Sequence, residues 1–108
     1  MNRQEVNLLN SLLEGKRDTF NFQNKKVAFI TGSAGNNILP KDIYFKSAVQ
    51  PWLDRGSKPA IMLVQLTKQE KSKSNGYDAL VLSWVKTFTD RQKRRILKRL
   101  SKENAPGK

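Results

Sequence analysis

Two aliphatic runs constrain this chain more than any other feature. Residues 60–66 read AIMLVQL and residues 77–85 read YDALVLSWV. Both are rich in strand-forming residues and apolar at successive positions, so each reads as a central strand covered on both pleat faces. Alternation sets Ile61, Leu63, Leu80, Leu82 and Trp84 on one side, and Met62, Val64, Leu66, Ala79, Val81 and Val85 on the other. A sheet apolar on both sides needs helices on each. With 108 residues, the chain can supply one domain and one modest core.

The helices come from three segments. Residues 2–14 place Val6, Leu8, Leu9, Leu12 and Leu13 on one side of a helix, with Asn2 and Glu5 as a capping box and Gly15 as the stop. A second helix opens after Pro40, with Asp42 near its positive end. Its spaced residues are Ile43, Tyr44, Ala48, Val49, Trp52 and Leu53. Pro51 should kink or divide it, because proline lacks a backbone donor and clashes with the preceding turn. Thr89 with Gln92 caps a terminal helix.

Between the first two helices, Phe20 and Phe22 alternate, residues 23–26 turn, and Val27, Phe29 and Ile30 resume, which predicts a hairpin. Residues 32–39 read as a loop. The second hairpin carries residues 67–76 as an extended tip, with Asn75-Gly76 as its turn signal. The expected order is α-ββ-α-ββ-α, an α+β class of antiparallel hairpins and helices in one domain over residues 1–104. Residues 105–108 form a frayed tail. The layout resembles a winged-helix topology at the level of element order, with the hairpin tip in the place of the wing.

Charge limits the function classes. The net charge is +12, from 21 Lys and Arg against 9 Asp and Glu, with no His and no Cys. Such an excess repels itself in the folded state and points to a polyanionic partner. The missing thiols and imidazoles remove disulfides, Cys/His zinc sites and the usual nucleophile–base pairs. The carboxylates are scattered along the chain, so no enzyme activity and no cofactor is expected. No apolar run approaches the ~20 residues that span a bilayer, and a cytoplasmic protein without a membrane partner is the expectation.

The stretch KKVAFITGSAGNN at residues 25–37 looks at first like a phosphate-binding mouth. A dinucleotide site needs a strand, three spaced glycines, a helix opening on the pyrophosphate and an acidic residue about 20 positions on. Gly32 and Gly35 are present, but Ile38 occupies the third glycine position and Pro40 delays the helix. No Gly-Lys-Ser/Thr follows, so the P-loop alternative fails as well. The remaining readings are an ordinary turn, or a turn whose Ser33 and Gly35 amides hold one phosphate oxygen.

The strongest binding signal lies at the other end. Residues 89–108 hold eight cations against two carboxylates, half of the chain's net charge. Ile96, Leu97 and Leu100 form a narrow docking stripe, and Arg91, Arg94, Arg95, Lys98, Arg99 and Lys102 cover the opposite arc. A solvated helix normally mixes signs for i, i+4 support, whereas this one repels itself. Lys68, Lys71 and Lys73 on the hairpin tip form a second set suited to a phosphate backbone. Phe45 and Tyr77 are candidates for stacking on bases, while Trp52 and Trp84 fall in core patterns. The sequence therefore reads as a non-enzymatic nucleic-acid-binding accessory protein, DNA favoured slightly over RNA, for a single- or double-stranded ligand. The alternative is a small adaptor subunit of a larger nucleic-acid-processing enzyme or ribonucleoprotein, meeting its partner through an uncovered apolar face.

Overall fold

A computed structural model describes residues 3–13, 22, 24–32, 37–86 and 88–102. It has the expected α+β class, in the order α1 (Arg3–Leu12), β1 (Val27–Thr31), β2 (Asn37–Leu39), α2 (Lys41–Tyr44), a π-helical turn (Phe45–Val49), α3 (Gln50–Asp54), β3 (Ile61–Gln65), α4 (Lys68–Lys73), β4 (Ala79–Ser83) and α5 (Asp90–Ser101). The four strands form one mixed sheet in the order β2-β1-β4-β3. β1 runs parallel to β4, while β2 and β3 are its antiparallel edges.

The sheet separates two cores. On one face, Val6, Leu9 and Leu13 from the first helix and its end meet Tyr44, Ala48, Val49, Phe29 and Val81. On the other, Ile96, Leu97 and Leu100 of α5 pack on Ala28, Ile30, Leu80 and Leu82. Full burial of one such aliphatic side chain stabilises by about 1.5–3 kcal/mol, so two stripes of three residues each dock their helices firmly.

Pro51 divides the second helical segment as its chemistry requires. The chain widens into the π turn immediately before it, and Gln50 N–H bonds back to the Phe45 carbonyl. This shifts the hydrogen-bond register where proline offers no donor. α3 ends in a Schellman motif: Ser57 N–H reaches the Trp52 carbonyl at 2.8 Å and Gly56 N–H the Leu53 carbonyl at 2.9 Å. Gly56 takes φ +79°, which its missing Cβ permits. At the end of β4, Trp84 turns the chain with φ +62°. Its indole Nε1 donates to the Ala48 carbonyl at 3.1 Å, tying the sheet to the π turn.

Several expectations are corrected. β1 pairs with β2 and not with a strand at Phe22; Phe22 is buried but lies in no strand, and Phe20 falls outside the described residues. Asn37–Leu39, read as loop, is a strand. β3 is an edge strand rather than a central one, half-buried with Met62 42% exposed. Leu63 pairs with Val81 and Val64 with Leu80. Ile61 and Leu63 therefore share a face with Val81, one register step from the expected grouping.

The largest change concerns the hairpin tip. Where a wing would extend, Lys68–Lys73 form α4, so the order is α-ββ-α-β-α-β-α. The cause is a second capping box. Thr67 Oγ1 accepts from Glu70 N–H at 3.2 Å, and Glu70 Oε1 accepts from Thr67 N–H at 2.9 Å. Asn75-Gly76 still makes the turn, with φ +68° and +84°. The caps at Asn2 and Gly15 and the tail at 105–108 lie outside the described residues. Among those residues no helix is long and apolar enough to cross a membrane.

Candidate nucleic-acid interface

α5 begins where Thr89 closes its capping box: Gln92 N–H donates to Thr89 Oγ1 at 3.2 Å, and Thr89 N–H to Gln92 Oε1 at 2.7 Å. Asp90 in the first turn complements the helix dipole. With Ile96, Leu97 and Leu100 buried against the sheet, the expected cations Arg91, Arg94, Arg95, Lys98, Arg99 and Lys102 are all exposed on the outer arc. They are held as a rigid row, because the stripe beneath them fixes the helix's rotation.

α4 brings the second set of cations alongside. Lys68, Lys71 and Lys73 sit on an ordered helix, not a loose tip, and all three are exposed. An ion pair between Lys93 Nζ and Glu70 Oε2, 2.8 Å long, joins α5 to α4. The groove between the helices is lined by Lys73 from one side and by Arg94 and Lys98 from the other. Lys71 is partly committed elsewhere, with its Nζ 2.8 Å from Asp78 Oδ1.

Two carboxylates anchor this arrangement. Asp78 also accepts from the Lys26 backbone N–H at 2.8 Å, and Asp78 N–H donates to the Lys26 carbonyl at 2.7 Å. The Lys71 ammonium, with the Lys26 amide behind it, holds the Asp78 carboxyl below its usual range. The Lys93 ammonium, followed by the Thr67 amide, does the same for Glu70. Both therefore stay ionised at neutral pH and spend their charge on lysines that position α4.

The aromatic candidates lie elsewhere. Phe45 packs with Phe29 and Tyr44, with ring centroids 5.7 and 5.5 Å away, on the sheet face opposite α5. Tyr77 is buried, and Lys26 Nζ lies 4.4 Å from its ring centroid. Trp52 and Trp84 pair at 4.6 Å. Burial of Tyr77 and packing of Phe45 correct the expectation that these rings stand ready for bases. Ser33 and Gly35 fall outside the described residues. β1 is followed by an antiparallel strand and not by a helix, so the strand–turn–helix context of a dinucleotide site is not formed there.

α4 escaped the sequence reading, yet the signal for its start was present. Thr67-x-x-Glu70 is the same start pattern as Thr89-x-x-Gln92. No curated protein and no solved structure matches the chain. Residues 1–102 match the family model described as domain of unknown function DUF8192, and the chain belongs to that family.

Proposed function

We propose that this protein is a non-enzymatic, cytoplasmic accessory factor that binds nucleic acid through the phosphate backbone. One observation carries the reading: five cations of α5 and Lys102 at its C-cap are exposed together on the arc opposite its buried stripe, beside the cations of α4. Like charges at 3–4 residue spacing destabilise a helix, and a polyanion relieves that cost while releasing its counterions. Three carboxylates, Glu5, Glu70 and Asp78, are tied to Lys41, Lys93 and Lys71, which fits a supporting role for acidic groups. Replacing Arg94, Arg95, Lys98 and Arg99 together with Gln tests the proposal. Affinity for DNA at 0.1 M salt should fall ten- to a hundredfold or more, while the melting temperature holds or rises. Unchanged affinity, or loss of folding together with binding, refutes it.

A second reading, the adaptor subunit, draws on β3. This edge strand carries no charge from Ile61 to Gln65, and Met62 is exposed, whereas exposed edges are ordinarily guarded by charge or proline. Met62→Lys would then abolish association with a partner and leave DNA binding intact.

A further inference from the structure

We infer that the ligand is double-stranded DNA in the B form, with α5 lying in the major groove and its cations reaching both strands. This rests on the nucleic-acid reading above and narrows it. At ~100° per residue, Arg94 and Lys98 lean to the α4 side of the helix, Arg95 and Arg99 to the far side, and Arg91 and Lys102 lie on the crest between. Together they cover about 140° of the circumference. Only the first pair lines the groove with α4, so the two flanks face different directions.

The crest is exposed at both ends, at Arg91 and at Lys102. α4 meets α5 through Lys93, which lies beside the buried stripe of Ile96, Leu97 and Leu100 and away from the crest. The ion pair that joins the two helices therefore leaves the crest uncovered. A helix with its side chains is ~10–12 Å across, and the B-DNA major groove is ~12 Å wide. A helix so placed has a phosphate rail on each flank, which is the distribution of charge that α5 carries.

The two competing ligands fit less well. The major groove of A-form RNA is too deep and narrow for side chains to read. A single strand offers one backbone and is bound chiefly by stacking on aromatic rings. Phe45 lies across the sheet from α5, and Tyr77 is buried. Duplex DNA is the ligand that uses both flanks and needs no ring.

Fluorescence anisotropy on the full chain at 0.1 M salt separates the cases, using end-labelled duplex DNA, duplex RNA and single-stranded DNA of one sequence, about two helical turns long. Duplex DNA should bind at least tenfold more tightly than either competitor. Duplex RNA is the control for charge, since it carries the same number of phosphates. Equal or tighter binding of duplex RNA or of the single strand overturns the inference while leaving the nucleic-acid reading standing. Binding to none of the three overturns both. The flanks are tested separately by Arg94→Gln with Lys98→Gln, and by Arg95→Gln with Arg99→Gln. Each pair should make the salt dependence on duplex DNA shallower by about 1.8, at ~0.9 per phosphate contact, with the circular dichroism spectrum unchanged. A flank whose loss changes nothing shows contact with one backbone only and overturns the two-strand geometry.

Discussion

The buried hydroxyl pair between Tyr44 and Ser83 is the sharpest test of how the α2 layer is joined to the sheet. Tyr44 Oη and Ser83 Oγ share a short hydrogen bond, and both residues are fully buried. Tyr44→Phe removes one partner and leaves the Ser83 hydroxyl without one, which costs about 1–3 kcal/mol. Ser83→Ala strands the Tyr44 hydroxyl and should cost a similar amount. The double variant leaves no orphan, so its stability should resemble either single variant and not their sum, a coupling of about 1–3 kcal/mol. Each kcal/mol moves the midpoint by roughly 4–8 °C in a domain near this size, well within a thermal melt followed by circular dichroism. Alkaline pH adds a second signature. Burial, opposed by the bond to Ser83, pushes the Tyr44 hydroxyl from 10.0 up to about 12. The folded state thus holds a proton that the unfolded state releases, and this stabilisation is complete below about pH 10 and lost as pH rises toward 12. Wild type should therefore lose stability in that window faster than Tyr44→Phe. Additive single variants, or identical alkaline limbs, would refute the reasoning.

Two further outcomes follow from the sheet and its anchors. Leu82, 1% exposed between β1 and α5, should not tolerate aspartate, because burying an unpaired carboxylate abolishes cooperative folding; Val64→Asp, on the half-buried edge strand, should keep a cooperative melt, and the same melt for both variants would contradict the sheet order. Because ion pairing lowers the carboxyls of Asp78 and Glu70, their contribution is present above the ordinary values of about 3.9 and 4.3 and is lost as pH falls below them. Melting temperatures measured from pH 6 down to pH 2 should drop less steeply for Asp78→Asn than for wild type, and parallel limbs would show that the Asp78 contacts carry no stability.

The class of the fold was legible because its signals are local. The apolar runs became β3 and β4, Thr89 and Gln92 capped α5, and Pro51 divided a helix, each through chemistry confined to a few neighbours. Strand order was not legible. β1 pairs in parallel with β4 across some fifty intervening residues, and no local pattern specifies which strand lies at an edge. An apolar run such as residues 61–65 reads the same whether a sheet continues beyond it or stops. β2 escaped because three residues are too few for a period to register. The candidate site was half legible. The cations of α5 could be read from helical spacing, but whether Phe45 and Tyr77 faced solvent depended on packing around the π turn and Lys26.

The central claim is that the exposed cations of α5 and α4 bind phosphates, and salt dependence measures it most directly. Dissociation constants for duplex DNA should be taken at several salt concentrations between about 0.05 and 0.3 M. If roughly five phosphates are engaged, log K should fall against log salt with a slope of about −4.5. A slope near zero would contradict the claim.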